Sequence, residues 1–181
     1  MGVTMKATKP VLLGFCLFLA AGPVLGFEKK DLEEFKKSKK CVGSTFSSCD
    51  LSGATFSGLT LNGAVLDGAN LEGAKMENLD LTKASLIDTN LKGVKMVKVN
   101  LDGSIFKTAN LEGASLLAVS CEGCDLTEAK LKGVALKGVS LKNSILKDAV
   151  LENTDLKEVN LTGVTGIKEE ACKARSFGIC N

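Results

Sequence analysis

The stretch LDGANLEGAKMENLDLTKASL, from Leu66 to Leu86, places an apolar side chain at every fifth residue. Five is neither the period of a strand, which is two, nor that of a helix, which is 3.6. The phase holds without a slip from Phe46 through Leu51, Phe56, Leu61 and onward to Leu161, and the centre is always Leu, Phe or Met except at Cys121. Two residues before each centre stands a small or medium residue, as at Ala54, Ala64, Ala69, Ala84, Val94 and Ala109. Two residues after it glycine recurs, as at Gly53, Gly63, Gly73, Gly93 and Gly113. A repeat this strict dominates every other sequence signal.

In an extended segment the centre and the residue two before it point to the same side. The residues between and after them are polar or glycine, which suits turns that need unusual backbone angles. Short strands alternating with turns wind the chain into a coil, and stacked coils pair their backbones about 4.8 Å apart while burying a continuous Leu column. A helix would scatter a period of five around its circumference and would be weakened by glycine at this density.

Segments such as AVLDG, ANLEG and ASLLA, repeated from about Ser44 to Val164, resemble the pentapeptide-repeat family. The resemblance implies an all-β, right-handed, four-sided β-helix with four pentapeptides per coil and the centre and minus-two residues inward. The run then makes about six coils, a rod about 29 Å long at about 4.8 Å per coil. Four units per coil stack residues twenty apart. Along one face the position after the centre reads Ser52, Glu72, Lys92, Glu112, Lys132, Glu152, with charges alternating in sign as stacked neighbours prefer. The position before the centre on that face gives Asn70, Asn90 and Asn110, an amide ladder.

The N-terminus is a separate object. Lys6 and Lys9 precede an apolar run from Pro10 to Gly26, and small residues at Val24 and Gly26 mark a cut after Gly26. Residues 1–26 therefore read as a secretory signal peptide, the run being short for a membrane span. Residues 27–41 read as an amphipathic N-terminal capping helix, with Leu32 and Phe35 one turn apart. Residues 42–164 form the β-helix, and 165–181 a C-terminal helical cap closed by Gly178. Both caps cover coil edges that would otherwise invite aggregation.

Of seven cysteines, Cys16 leaves with the signal peptide. The other six are disulfide candidates in an exported chain, and six allow fifteen pairings. Cys172 and Cys180 flank the C-terminal helix and meet if the chain reverses at Gly178, and Cys41 and Cys49 sit together at the first coil. Cys121 and Cys124 form a CxxC on inward positions, which favours buried thiols or a structural bridge over redox or metal chemistry. A four-cysteine zinc site would need a second pair nearby, but Cys41 is four coils, about 19 Å, from Cys121.

The chain has no histidine, Trp or Tyr, and its 23 Lys and Arg balance 21 Asp and Glu. With residues 1–26 removed, Lys6 and Lys9 are lost and the two totals become equal. The usual neutral-pH base and commonest metal ligand are missing, as is the basic excess of a nucleic-acid binder. No Ser–His–Asp set, phosphate-binding loop or dinucleotide fingerprint occurs, so the expectation is no enzyme, no cofactor, no metal and no small-molecule substrate.

What remains is surface. The face centred on Phe56, Met76 and Met96 carries Lys75, Lys95, Lys98, Lys137 and Lys157 against Glu77, Asp155 and Glu158, with Val97 and Leu117 outward. The opposite face carries Asp67, Asp88, Asp125, Glu128 and Asp148 against Lys107 and Lys147, with Val65, Ile87, Ile105 and Ile145 outward. Outward β-branched residues also suit strands for their own sake. The function expected is an exported, non-enzymatic rod that presents flat faces to a protein partner or to itself, with no nucleic acid and no membrane after signal cleavage. Export means the periplasm, secretion, or a thylakoid lumen in a photosynthetic source. The resemblance also implies an alternative, a DNA-mimic binder of a type II topoisomerase. Neutral charge and an export signal both argue against it.

Overall fold

The computed structural model describes residues 51–167. The signal peptide, the capping segments, Cys41, Cys49, Cys172 and Cys180 lie outside those residues. Within them the chain is a parallel β-solenoid of about five turns, and no helix occurs among the described residues.

Three-residue strands β1 (Thr55–Ser57), β2 (Lys75–Glu77), β3 (Lys95–Val97), β4 (Ser115–Leu117) and β5 (Ala135–Lys137) stack into one parallel sheet. Thr55 pairs Lys75, Lys75 pairs Lys95, and Ser115 pairs Ala135, so the register is twenty residues at every step. A second face pairs Thr60 with Asp80, Asn100 and Ser120 in turn and ends in strands β6 (Val139–Ser140) and β7 (Val159–Asn160). A third runs Val65, Ser85, Ile105, Asp125, Ile145, Thr165, and a fourth Asn70, Asn90, Asn110, Lys130, Val150. Four ladders, one per successive pentapeptide, make the rod four-sided, with the first face opposite the third.

The strands are short because each pentapeptide contains its own corner. The Ala54 N–H donates to the Leu51 carbonyl at 3.1 Å, and the same bond recurs at Ala64, Ala69 and Ala74, closing these corners as turns. The corner residue two after each centre has a left-handed backbone, at φ 65 in Gly63 and φ 65 in Gly113. Glycine adopts it at no steric cost. Ten corners without glycine adopt it too, including Thr108 at φ 58 and Ala118 at φ 53. The fold thus imposes its corner on side chains that resist it, at about 1 kcal/mol each.

Neighbouring coils are tied in both directions. The Leu51, Leu71 and Leu91 N–H groups donate to the carbonyls of Asn70, Asn90 and Asn110 at 2.7 Å, while the Lys75 and Lys95 N–H groups donate back to Ala54 and Ala74 at 2.8 and 2.9 Å. Backbone groups that a helix or a broad sheet would satisfy are satisfied here coil to coil.

The centre and minus-two positions fill the interior. Leu71, Leu86, Leu91, Phe106 and Leu101 are buried, with Ala64, Ala69, Ala84 and Ala109 between them. The alternation of large and small lets four walls close on one another, and each buried Leu contributes about 2 kcal/mol of transfer energy. Three buried polar residues interrupt the pattern: Thr89, Ser104 and Ser144. The Ser104 hydroxyl donates to the Leu81 carbonyl at 2.7 Å and accepts the Ala84 N–H at 3.1 Å. Ser144 repeats this one turn after Cys124, donating to Cys121 O at 2.7 Å and accepting from Cys124 N at 3.1 Å. Thr89 and Thr154 donate to Leu66 and Leu131 in the same way.

Candidate contact faces of the solenoid

Cys121 and Cys124 meet across one corner in a disulfide with Cα atoms 5.4 Å apart. Both are buried, the first as a centre and the second at a minus-two position between Ser104 and Ser144. Cys124 Sγ lies 3.2 Å from the Leu101 carbonyl, the place a serine hydroxyl takes in the neighbouring coils. Bonded to Cys121 it has no proton to donate, so here a covalent link stands where hydrogen bonds stand above and below. The pair belongs to the wall of the core, in line with the structural-bridge reading. Among the described residues no group of Cys, Asp or Glu is arranged to hold a metal ion. A small apolar recess in the core is lined by Leu51, Phe56, Leu61 and Leu66.

The four outer faces differ in how far they satisfy themselves. On the second, Asp102 accepts from the Ser120 hydroxyl at 2.6 Å and the Glu122 N–H at 2.8 Å, and Ser140 donates to Glu122 at 2.9 Å. On the fourth, the Asn90 amide donates to Asn70 Oδ1 at 3.1 Å, the ladder read from the sequence. Lys132 and Glu152 pair at 3.0 Å in the alternating column, and the hydrogen bond that the Lys132 ammonium donates to Glu152 raises it above its ordinary pKa. Exposed pairs of this kind add little stability. The fourth face also shows Val150, 40% exposed, which the sequence reading passed over although its phase, one before Leu151, marked it as outward.

The third face combines charge with apolar surface. Ile105 and Ile145 are 37% and 41% exposed, and Val65 and Ile87 are half-buried beside them. Asp67 accepts from the Ser85 hydroxyl at 2.6 Å and the Ile87 N–H at 3.0 Å. Asp125 lies between the two isoleucines in the stacked column. Burial pushes its carboxyl up, but the Thr127 hydroxyl and N–H and the Lys107 ammonium outweigh that and hold it below the ordinary carboxylate value. Lys107 Nζ stands 3.1 Å from Asp125 Oδ2. Asp88 binds the Thr108 hydroxyl at the corner of the same face.

On the first face Leu117 is 42% exposed at the end of β4, and Val97 beneath it in β3 is half-buried. Lys75, Lys95 and Lys137 are exposed along the strands, and Lys157 sits 3.7 Å from Asp155. All six outward apolar residues singled out from the sequence therefore lie on the outer surface, divided between two opposite faces of unlike charge. The fold does not bring them into one patch.

Comparison with known proteins accounts for the architecture. Rfr23, a pentapeptide repeat protein of the cyanobacterium Cyanothece 51142, is similar at 22% identity and a TM-score of 0.52, covering 75% of this chain and 92% of its own. A pentapeptide repeat protein of the Arabidopsis thaliana thylakoid lumen matches at 32% identity and a TM-score of 0.33, over 48% of this chain and 64% of that one. QnrB1, described as a plasmid-mediated fluoroquinolone resistance protein, matches at 20% identity and a TM-score of 0.33, over 70% and 79%. No curated protein matches the sequence. Pentapeptide repeats match in eight copies over residues 40–78, 69–107, 104–143 and 135–165, and with the register of twenty this places the chain in the pentapeptide-repeat family.

Proposed function

We propose that the protein is an exported, non-enzymatic interaction module, a rod whose first and third faces are contact surfaces for protein. The observation that carries this reading is the exposure of Ile105, Ile145 and Leu117 on faces that bear opposite charge. A column that served only strand propensity would not need acids clustered around it. Export is supported by the basic, apolar and small-residue order of residues 1–26. The third face, with five acids against two lysines, keeps the topoisomerase reading in view, although a DNA mimic would need the other three faces to be acidic as well.

The test is cross-linking in the native host followed by capture, with wild-type protein beside the Ile105→Glu/Ile145→Glu and Leu117→Glu variants. Cross-linked species that vanish in one or both variants support contact faces. Species unchanged in both variants contradict them. Intact mass of the recovered chain, beginning at Phe27 or not, tests export separately, and a supercoiling assay with gyrase tests the alternative.

A further inference from the structure

The two faces fit each other. Opposite walls of a four-sided coil run in opposite directions, so when two rods lie side by side and parallel, the position before each centre on the first face meets the position after each centre on the third. The third face stands half a turn after the first, so level rods set each row of one between two rows of the other, Lys95 between the partner's Ile87 and Lys107. Raising the partner by half a coil, about 2.4 Å, aligns the rows. Lys75 then meets the partner's Asp67, Leu117 meets the partner's Ile105, Lys137 meets the partner's Asp125, and Asp155 meets the partner's Lys147, while Lys95 and Lys157 lay their stems on the partner's Ile87 and Ile145. The opposite shift sets Lys95 against the partner's Lys107. The one like-charge approach in the favourable arrangement, Lys98 beside the partner's Lys83, falls at the solvated edge, where screening is strong.

From this complementarity we infer that the first face of one copy docks on the third face of a second copy, rods parallel and staggered by half a coil. The inference rests on the reading of these faces as contact surfaces and names their partner as the chain itself. Charge disfavours pairing like with like, since each third face carries five acids against two lysines and each first face five lysines against three acids. The contact is heterologous, so each copy keeps one free first face and one free third face, and association proceeds into rows. A face about 24 Å tall is smaller than a standard interface, so the contact is weak and is screened by salt.

Charge reversal tests this directly by sedimentation velocity on the full chain. Lys75→Glu/Lys137→Glu makes both faces acidic, and Asp67→Lys/Asp125→Lys makes the first and third faces both basic. Each variant alone is expected to associate at least about tenfold more weakly than wild type. An equal mixture of the two is expected to recover association, because each reversed face meets its reversed partner. Asp67 and Asp125 also accept hydrogen bonds within the third face. If that variant fails to fold, Ile105→Glu replaces it and is expected to weaken association to the same degree. Wild-type protein that stays monomeric at about 1 mM and low salt overturns the inference, as does a folded mixture that stays monomeric or association that both variants retain. Self-association can fail in this way while the cross-linked species of the native host still vanish in the Ile105 and Leu117 variants. The contact-face reading would then stand with another protein as its partner.

Discussion

The inner and outer columns of the third wall are built on the same backbone and obey different rules. Inward, Leu66, Leu86, Phe106, Leu126 and Leu146 repeat one chemistry and are all buried. Outward, Val65, Ser85, Ile105, Asp125, Ile145 and Thr165 share the same register of twenty and repeat nothing. The inner column answers to packing, which tolerates only apolar side chains of fitting size. The outer column has no such constraint. Stability therefore belongs to the first column, and the second is where the proposed contacts fall.

The largest effect expected from breaking the inner side is at Phe106, whose loss in Phe106→Ala should cost about 3–5 kcal/mol in thermal or denaturant unfolding, because flanking coils cannot collapse onto the void. Ser104→Ala is expected to cost only about 0.5–1 kcal/mol by the same measurement, since the Ala84 N–H keeps its corner bond to the Leu81 carbonyl when the hydroxyl is lost. Ala118→Gly is expected to stabilise by about 0.5–1 kcal/mol, the relief at φ 53 exceeding the entropy glycine adds to the unfolded chain. A smaller effect belongs to the outer side. The Asp125 carboxyl is held below its ordinary value in the fold, so its contribution is whole above the unfolded value of about 3.9 and is lost as pH falls through the folded one. Asp125→Asn should flatten the part of the stability profile that falls as pH drops below about 4 and leave the rest unchanged.

Much of this division was legible in the sequence. An unbroken period of five, with Ala or Val two residues earlier, gave the inward set and the stacked register, and Asn70, Asn90 and Asn110 foretold a ladder along which Asn90 bonds Asn70. Glycine frequency marked the corners. It did not reveal that Lys83, Thr108 and Glu128 share the same left-handed backbone, because propensity disfavours that backbone and only the neighbouring coils enforce it. The minus-two hydroxyls of Ser104 and Ser144 were likewise hidden, since their partners lie more than twenty residues away. The bridge between Cys121 and Cys124 was one of several options for a CxxC, and three-dimensional proximity across a corner decided among them. The charge and apolar residues of the outer faces could be sorted from the sequence, but the opposite strand directions of facing walls came only with the coil.

One experiment bears on the division most directly, a calorimetric melt of Leu101→Ala beside Ile105→Glu/Ile145→Glu. Leu101 is 1% exposed in the inner column of the second wall, and its truncation should lower the melting temperature by about 10 °C. The outer double variant should melt within about 2 °C of wild type, because surface substitutions away from buried partners change stability by about 0.5 kcal/mol or less. If the outer variant loses as much as the inner one, the outward isoleucines hold the rod together, and their claim to be a contact surface fails.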